Sequence, residues 1–510
     1  MDLNTVVTYL ADQHLLVDQV GTFDEQHIAA LEMDSRAVVP GTLFFCKGAQ
    51  FKPEYLQSAV DKGAIAYVSE KPYDVPIPGL IVSAIRRVMP VVANHFYDRP
   101  WQAYPLIGIT GTKGKTTTAY YVRQIFDAWA ERQQLMRSGL ISSATVYVGK
   151  EESEAQLTTP ESLPLYQLLA EAAEAQLPYV TMEVSSQALK YHRTDGILYD
   201  TVAFLNISKD HISPVEHPTF EDYFSSKLKL FQQGKRAVIN LDTDHAERVL
   251  TAAEQSPTVE TVQTFALENQ HADYYAKDII STPAGERFTL VHNGTEIPFT
   301  LAMSGIFNVA NALAAIAIAD GYGIDIETMR SALANAHVPG RMESFVTADE
   351  KIVAMVDYAH NAASFEAMFA ASTAIYPDRN VAVVFGSPGK KAYNRRHDLT
   401  AIAGEKADYV VLTSEDPGKE DPKAIAEEMM GYLKEVAPHT PADIVIDRGS
   451  AIQAAFSWAE QQPHPTVLWI AGKGDETEMK YADGMHPYFG DHNYVKQAIA
   501  AYDQDALSQD

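Results

Sequence analysis

The stretch PLIGITGTKGKTTTAYYVRQIF, residues 105–126, decides how the chain is read. An apolar run at 106–110 has the character of a buried strand, a glycine-rich turn follows, and TTTAYYVRQIF continues as a helix. Gly108, Gly111 and Gly114 permit a tight turn whose N–H groups point inward, at the positive end of the following helix, and that arrangement suits a phosphate. Lys115 is placed to hold terminal phosphates and the hydroxyl of Thr116 to bind a magnesium ion. Gly111, Thr112, Gly114, Lys115, Thr116 and Thr117 therefore form the expected nucleotide-binding loop. The Walker spacing requires glycine at 109, where this chain has Ile109, so the loop is a compact variant.

Outward from this loop, length and composition set limits. A chain of 510 residues exceeds what one hydrophobic core supports, so several domains are expected. No apolar run is long enough to span a bilayer, and MDLNTVVTYLADQ lacks the basic start and apolar middle of a secretory signal. Cys46 is the single cysteine, which excludes an intrachain disulfide and fits a reducing cytoplasm. A formal charge of -27 argues against nucleic acid as a partner. Any phosphate site must then be built locally, from Lys, Arg and backbone N–H groups.

Three blocks separate along the chain. Residues 1–103 alternate short apolar runs such as TLFF (42–45) and IAYV (65–68) with helix-like stretches, as a small α/β domain would. Residues 104–337 carry the glycine-rich loop, further strands in YVTMEV, TVAFLNIS and RAVINL, and a hairpin centred on Asn293-Gly294. Residues 338–510 contain four apolar runs, IVAMV, VAVVF, YVVL and TVLWI, separated by helical patterns. That alternation predicts a parallel sheet with crossover helices, whose ligands bind beyond the carboxyl ends of the strands. Those ends carry Asp357–His360, Gly386–Lys391, Glu415–Asp416 and Lys473–Glu476. The fold class expected is α/β throughout, with mainly parallel sheets.

Three acidic or basic positions stand out in the middle block. Glu183 ends an apolar strand and His211 follows another, so both are placed to present a metal ligand at one edge of the sheet. In PTFEDYFSSKLKLF (218–231), Thr219 reads as a helix N-cap, and Phe220, Phe224 and Phe231 share a stripe with Lys227 in its middle, while Lys229 falls opposite. A lysine on an apolar face is either snorkelling or held for chemistry.

GTKGKTTT, TTPES (158–162), EVSSQAL (183–189), FLNISKDHI (204–212), YFSSKLKLF (223–231), GIFNVANALAA (305–315), VPGRME (338–343) and DYAHN (357–361) occur in the order seen in Mur ligases. The chain resembles that family over nearly its whole length, and most closely its MurE-type branch. The resemblance implies a UDP-binding domain, a central P-loop ATPase and a C-terminal Rossmann-like domain. It implies an ATP-dependent, magnesium-requiring ligase, acting as a monomer, that adds a diamino acid to UDP-N-acetylmuramoyl-L-alanyl-D-glutamate through an acyl phosphate. By the same resemblance Glu183, His211 and a carbamylated Lys227 join Thr116 as magnesium ligands. The resemblance also implies that Lys115, Lys227 and His211 are catalytic, that Asn308, Arg341, Asp357 and His360 surround the nucleotide, and that Ser35, Thr158, Thr159, Ser185 and Arg193 contact the UDP-muramoyl peptide.

The incoming amine is read from Glu415-Asp416-Pro417-Gly418. Relatives that take meso-diaminopimelate have an arginine at the last position, and Gly418 offers no side chain for a distal carboxylate. L-Lysine is therefore expected, its ammonium attracted by Glu415, Asp416 or Glu476 near Gly474, with L-ornithine and diaminopimelate as alternatives. Lys391, Arg395 and Arg396 are candidates for the incoming α-carboxylate. Gln187, Asn361-Ala362-Ala363 and Asp475 depart from the usual family pattern, and these changes bear on amino-acid recognition more than on the ATP machinery. A folylpolyglutamate-synthase-like enzyme, a non-catalytic nucleotide-binding paralogue and a motor or switch NTPase are the competing readings.

Overall fold

Apolar runs of four to six residues bounded by glycine, proline and polar turns become the strands, and the longer 3.6-residue patterns become the helices that cover them. The computed structural model describes residues 1–23, 26–48, 51–209, 212–213, 216–390 and 393–509, with side chains described through 504. The chain divides into two compact units, Met1–Asp273 with Ala314–Thr328, and Tyr274–Leu313 with Met329–Asp510.

The first unit holds two sheets. Strands β1 (Leu16–Val20), β2 (Ala30–Glu32), β3 (Thr42–Phe45), β4 (Ala64–Ser69) and β5 (Gly79–Val82) lie in the order β1-β5-β4-β3-β2, parallel except for β1. The central strands are β6 (Leu106–Thr110), β7 (Gly139–Ile141), β8 (Thr145–Tyr147), β9 (Ser153–Glu154), β10 (Val180–Glu183), β11 (Tyr199–Phe204), β12 (Gly234–Asn240) and β13 (Thr261–Ala266). Their order within this unit is β13-β12-β11-β6-β10-β7-β8-β9. From β13 to β7 the pairing is parallel, so β6 sits between two buried neighbours and all its side chains are buried, as its near-continuous apolar run anticipates. One apolar cluster runs from Leu3, Leu43 and Val92 through Leu106 and Leu165 to Phe204, so the first two blocks of the sequence share a core.

In the second unit β14 (Tyr274–Thr282), β15 (Gly285–His292) and β16 (Thr295–Leu301) form an antiparallel meander. Asn293 and Gly294 turn the β15–β16 hairpin with φ of 50° and 72°, both left-handed, as a two-residue type I′ turn demands. A separate sheet, the main one of this unit, consists of β17 (Glu343–Val346), β18 (Ile352–Asp357), β19 (Asn380–Phe385), β20 (Tyr409–Leu412), β21 (Ala442–Ile444) and β22 (Thr466–Ala471). Their order is β17-β18-β22-β19-β20-β21, parallel except for β17. The four apolar runs are β18, β19, β20 and β22. β17 and β21, short and half-exposed at the two edges, carry too little apolar signal to read from sequence. A small hairpin, β23 (Glu478–Tyr481) with β24 (Gly484–Pro487), is mostly exposed and equally silent in sequence.

Beneath the carboxyl end of β22 lies a buried ion pair. Arg448 Nε and Nη2 donate to the two Asp491 oxygens at 2.7 and 2.8 Å, Nη2 also donates to Ala471 O, and Tyr488 OH donates to Asp491. Removing one partner leaves the other charge buried without compensation, at a cost on the order of 3–5 kcal/mol. Arg448→Met is therefore expected to lower the urea midpoint of the transition reported by Trp469 in β22, and an unchanged midpoint would refute this role.

Candidate functional site

The glycine-rich loop spans the gap between β6 and the helix Lys115–Arg132. Gly114 turns into the helix with φ of 81°, and a Cβ on Gly111 would lie 3.0 Å from Leu205 Cβ and 3.1 Å from Lys113 O. Because Phe204 of β11 pairs with Thr110 of β6, the residues after β11 run directly beside the loop. Asn206 clasps it: its carbonyl accepts from Thr112 N at 3.0 Å, its Oδ1 from Lys113 N at 2.8 Å, and its Nδ2 donates to Lys113 O at 3.1 Å. Ser208 N donates to Thr112 Oγ1 at 3.0 Å. Sequence reasoning singled out neither Asn206 nor Ser208 by residue, although both lie within FLNISKDHI, where polar residues follow an apolar strand.

Glu183 ends β10 in register with Ile109 of β6, and this places its buried carboxylate under the start of the loop helix. Thr116 Oγ1 donates to Glu183 Oε1 at 2.8 Å, and Ser143 donates its N–H to the same oxygen at 2.7 Å and its hydroxyl to Oε2 at 3.2 Å. Ser143 Oγ also reaches Thr158 Oγ1 at 3.0 Å. Thr159 Oγ1 donates to Glu183 O at 2.9 Å and accepts from Ser185 N at 2.9 Å, and Arg193 Nη1 donates to Thr159 O at 3.0 Å. Thr158, Thr159, Ser185 and Arg193 thus stand in one bonded chain with Glu183 and Thr116. Ser35 lies apart from it, in the first sheet's layer, where its carbonyl accepts from Lys62 Nζ at 2.8 Å.

Two lysines meet at one carbonyl. Lys115 Nζ donates to Gly111 O at 3.0 Å and to Thr112 O at 3.2 Å, and Lys227 Nζ donates to Gly111 O at 2.8 Å. Lys227 is carried by the helix Phe220–Leu228, capped by Thr219 as expected, with Phe224 buried beside it and Lys229 exposed. The helix tightens to a 3₁₀ turn from Lys229, and that turn seats Phe231. Lys227 is 2% exposed and its ammonium lies 4.7 Å from the Tyr223 ring centre, while Tyr223 OH donates to Thr112 Oγ1 at 3.0 Å. The apolar face of this helix therefore holds Lys227 against the loop and gives it no route to snorkel.

The oxygen donors at this edge fit a hard cation. A hydroxyl and a carboxylate, Thr116 and Glu183, are already within 2.8 Å of each other, and magnesium takes a few protein oxygens with the rest from phosphate and water. Among the described residues no three His, Cys, Asp or Glu side chains group as ligands. His211 lies outside the described residues, as does Lys391.

The strand ends of the second unit converge as the parallel sheet requires. Lys473 Nζ pairs with Asp416 Oδ1 at 3.1 Å and with Glu476. Gly472 N donates to Asp357 O. Asp357 is bound by Met342 N and Ala359 N, each at 2.8 Å, and Arg341 stacks its guanidinium 4.5 Å from the Tyr358 ring centre. His360 Nδ1 meets Tyr358 O at 2.7 Å, and Asn308, buried on the helix Ile306–Asp320, donates to Ser304 O at 2.8 Å. Gly474 follows Lys473 with φ of 56°. Burial pushes the Glu415 carboxyl up to about 7, against the pull of Arg448 and Lys473. Arg396 is buried in ion pairs with Glu420 at 2.7 Å and Glu428 at 2.5 Å, whereas Arg395 is only half-buried and its charge acts on Glu415. Lys473, held between two carboxylates, was expected at the strand-end edge of the sheet but without a role of its own.

A glycine-rich loop closed by a helix, with a threonine hydroxyl on an acidic strand end, defines a P-loop nucleotide-binding protein. Residues 109–319 match the Mur ligase middle domain and residues 340–474 the Mur ligase glutamate ligase domain. The chain is 38% identical to the UDP-N-acetylmuramoyl-L-alanyl-D-glutamate--L-lysine ligase of Enterococcus faecalis, covering 92% of this chain and 91% of that one. It is 36% identical to a UDP-N-acetylmuramyl-tripeptide synthetase of Lacticaseibacillus paracasei over 98% of each. Among solved structures it is similar to a UDP-N-acetylmuramoyl-L-alanyl-D-glutamate--2,6-diaminopimelate ligase, with a TM-score of 0.66 at 27% identity over 97% of this chain and 99% of that one. The chain belongs to the Mur ligase family, and its fold is the α/β fold with mainly parallel sheets that the resemblance implied.

Glu415 makes stability depend on pH in a defined direction. Its carboxyl is raised from 4.5 to about 7, so between those values the folded chain holds a proton that the unfolded chain has released. Its contribution is full below about pH 4.5 and declines as pH rises to about 7. Glu415→Gln should remove that decline, so the stability of the variant relative to the parent should rise from pH 5 to pH 8 in urea titrations. A difference that stays level with pH would refute the assignment.

Proposed function

We propose that the chain is an ATP-dependent, ADP-forming ligase that joins L-lysine to the D-glutamate of UDP-N-acetylmuramoyl-L-alanyl-D-glutamate, a cytoplasmic step of peptidoglycan precursor synthesis. The observation that carries this reading is the convergence of Lys115 and Lys227 on the Gly111 carbonyl, opposite the Thr116–Glu183 pair. This edge gathers cations and hydroxyls for a transferring phosphoryl group, and chemistry of that kind needs positioning and charge neutralisation more than a protein nucleophile. The sequence likeness to a lysine ligase of Enterococcus faecalis supports the substrate class.

In this reading residues 1–103 take the UDP end of the precursor, residues 104–337 take ATP, residues 338–510 take the amino acid, and the chain acts as a monomer. Thr116 and Glu183, with His211, would hold magnesium, which neutralises phosphate charge when bound. Lys115 turns from the Gly111 carbonyl to the terminal phosphates. Thr158, Thr159, Ser185 and Arg193 orient the precursor so that its side-chain carboxylate attacks the γ-phosphorus. ADP leaves and an acyl phosphate forms. The α-amine of lysine then attacks the acyl carbon, loses its proton, and inorganic phosphate departs. Carbamylation of Lys227, with loss of its positive charge, would turn one of the two cations at Gly111 into an anionic ligand. Asn308, Arg341, Asp357 and His360 are assigned to the nucleotide.

For the amine, Glu415, Asp416 and Glu476 supply negative charge beside Gly474. Asp416 and Glu476 already share Lys473, which leaves Glu415 as the carboxylate with the greatest need of a cation. Arg395 is favoured over Arg396 for the α-carboxylate, since Arg396 is engaged by Glu420 and Glu428. Gly418 has φ of 57°, and among the described residues nothing lies within 4 Å of where a Cβ would stand, so none of their side chains meets a distal carboxylate there.

Phosphate release from ATP is expected with magnesium, the UDP-muramoyl dipeptide and lysine, with a product of the matching mass. Turnover with diaminopimelate or ornithine instead would keep the ligase and discard the Gly418 argument, and no turnover with any amine would reject the ligase. Lys227→Ala should lose at least 100-fold in kcat while still binding ATP, the scale of removing a charge that acts at the transferring group. Unchanged turnover in that variant would reject carbamylation.

A further inference from the structure

Apart from the phosphate loop, the first unit gathers three cations around one carboxylate. Lys47 Nζ lies 2.5 Å from Glu161 Oε2, and Arg193 Nη2 donates to Glu161 Oε1 at 2.8 Å. The Lys47 and Arg193 side chains are each 10% exposed, and Glu161 is 17% exposed. Arg86, half-buried with its guanidinium 4.4 Å from the Tyr191 ring centre, acts on both Lys47 and Glu161. Arg193 Nε is buried and makes no hydrogen bond among the described residues. Burial works to raise the Glu161 carboxyl, but Lys47, Arg193 and Arg86 together hold it below the ordinary range. Burial, with Arg86 and Arg193 beside it, pulls the Lys47 ammonium down against Glu161.

Both oxygens of Glu161 are taken, so one negative charge faces three positive ones in a largely desolvated place. An excess of buried charge is costly unless a counter-charge arrives, and the excess is positive in a chain whose formal charge is -27. The location is also that of a ligand site. Lys47 and Arg86 follow the carboxyl ends of β3 and β5, where parallel sheets bind ligands. Arg193 connects the cluster through Thr159 to Ser185 and Glu183.

We infer that Lys47 and Arg86 complete, with Arg193, a pocket that binds an anionic group of the precursor, a carboxylate or a phosphate. Glu161 is the positioning residue: it spaces Lys47 and Arg193 and keeps the pocket folded before the anion enters. The identity of the anion rests on the ligase reading, whereas the charge requirement does not.

The test uses the full chain with Lys47→Met, Arg86→Met and the conservative Lys47→Arg. The precursor KM is expected to rise at least tenfold in both methionine variants, with KM for ATP and lysine within about twofold and recovery in Lys47→Arg, as loss of a charge-assisted contact implies. A precursor whose D-glutamate α-carboxylate is a carboxamide, and a sugar 1-phosphate lacking the uridylate, separate the two sources: the Lys47→Met effect disappears with whichever substrate lacks the anion bound there. Precursor KM within twofold of the parent in both methionine variants would overturn the proposal, as would an equal rise in all three KM values with a lowered Tm. Should the parent chain turn over no amine, the ligase reading fails by itself, and the pocket is judged by thermal melts in phosphate and in glutarate. A rise in Tm that is smaller in Lys47→Met than in the parent supports it, and equal rises overturn it.

Discussion

The carbonyl oxygen of Gly111 accepts hydrogen bonds from two ammonium groups, Lys115 and Lys227. Two like charges meeting on one neutral acceptor repel, so the packing around each lysine has to hold it in place. Lys227 is pinned by the apolar face of its helix and the Tyr223 ring, and Lys115 by its place at the first turn of the loop helix. The result is two ammonium groups gathered beside the loop N–H groups inside a strongly acidic chain. A phosphate brought there relieves the repulsion and gains the N–H groups of the loop as well.

The rest of the first unit is arranged to keep that edge in register. β10 and β11 flank β6, so that Glu183 and Asn206 arrive on either side of the loop. One contributes a carboxylate to the Thr116 hydroxyl, the other clasps the loop backbone at three points. The second unit uses the same device with opposite charge: parallel strands end in Glu415, Asp416, Lys473 and Glu476, and there a single lysine is divided between two carboxylates. The first unit's strand edge brings two lysines together, and the second unit's edge gathers carboxylates around one lysine. Both groupings are made by burial and pairing, since neither follows from overall composition.

The phosphate loop, the strand on each side of it, the four long strands of the second unit and the Asn293-Gly294 hairpin were all legible from residue pattern. Each rests on local chemistry, apolar runs for buried strands and left-handed residues for a tight turn. Lys227 was legible as a lysine on an apolar stripe, although pattern could not separate snorkelling from burial. The short edge strands β17 and β21 and the β23–β24 hairpin were not legible, because exposed strands of three or four residues carry no period to detect. The shared core of the first two blocks was also hidden, since a boundary drawn from sequence says nothing about packing across it.

By itself the sequence determined the nucleotide loop, the α/β class and the family, because glycine spacing, strand and helix periods and motif order are properties of the chain. Tertiary structure alone decided which residues of that order act together. The pairing register of β6, β10 and β11 brings Thr116 to Glu183, 67 residues away, and the folded helix brings Lys227 to Gly111, 116 residues away. Likewise Arg396 and Arg395 are neighbours in sequence and equal in charge, yet one is buried between Glu420 and Glu428 while the other remains half-buried near Glu415. The physical reason is that burial and pairing set what a charged side chain can do, and both are created only when distant segments pack.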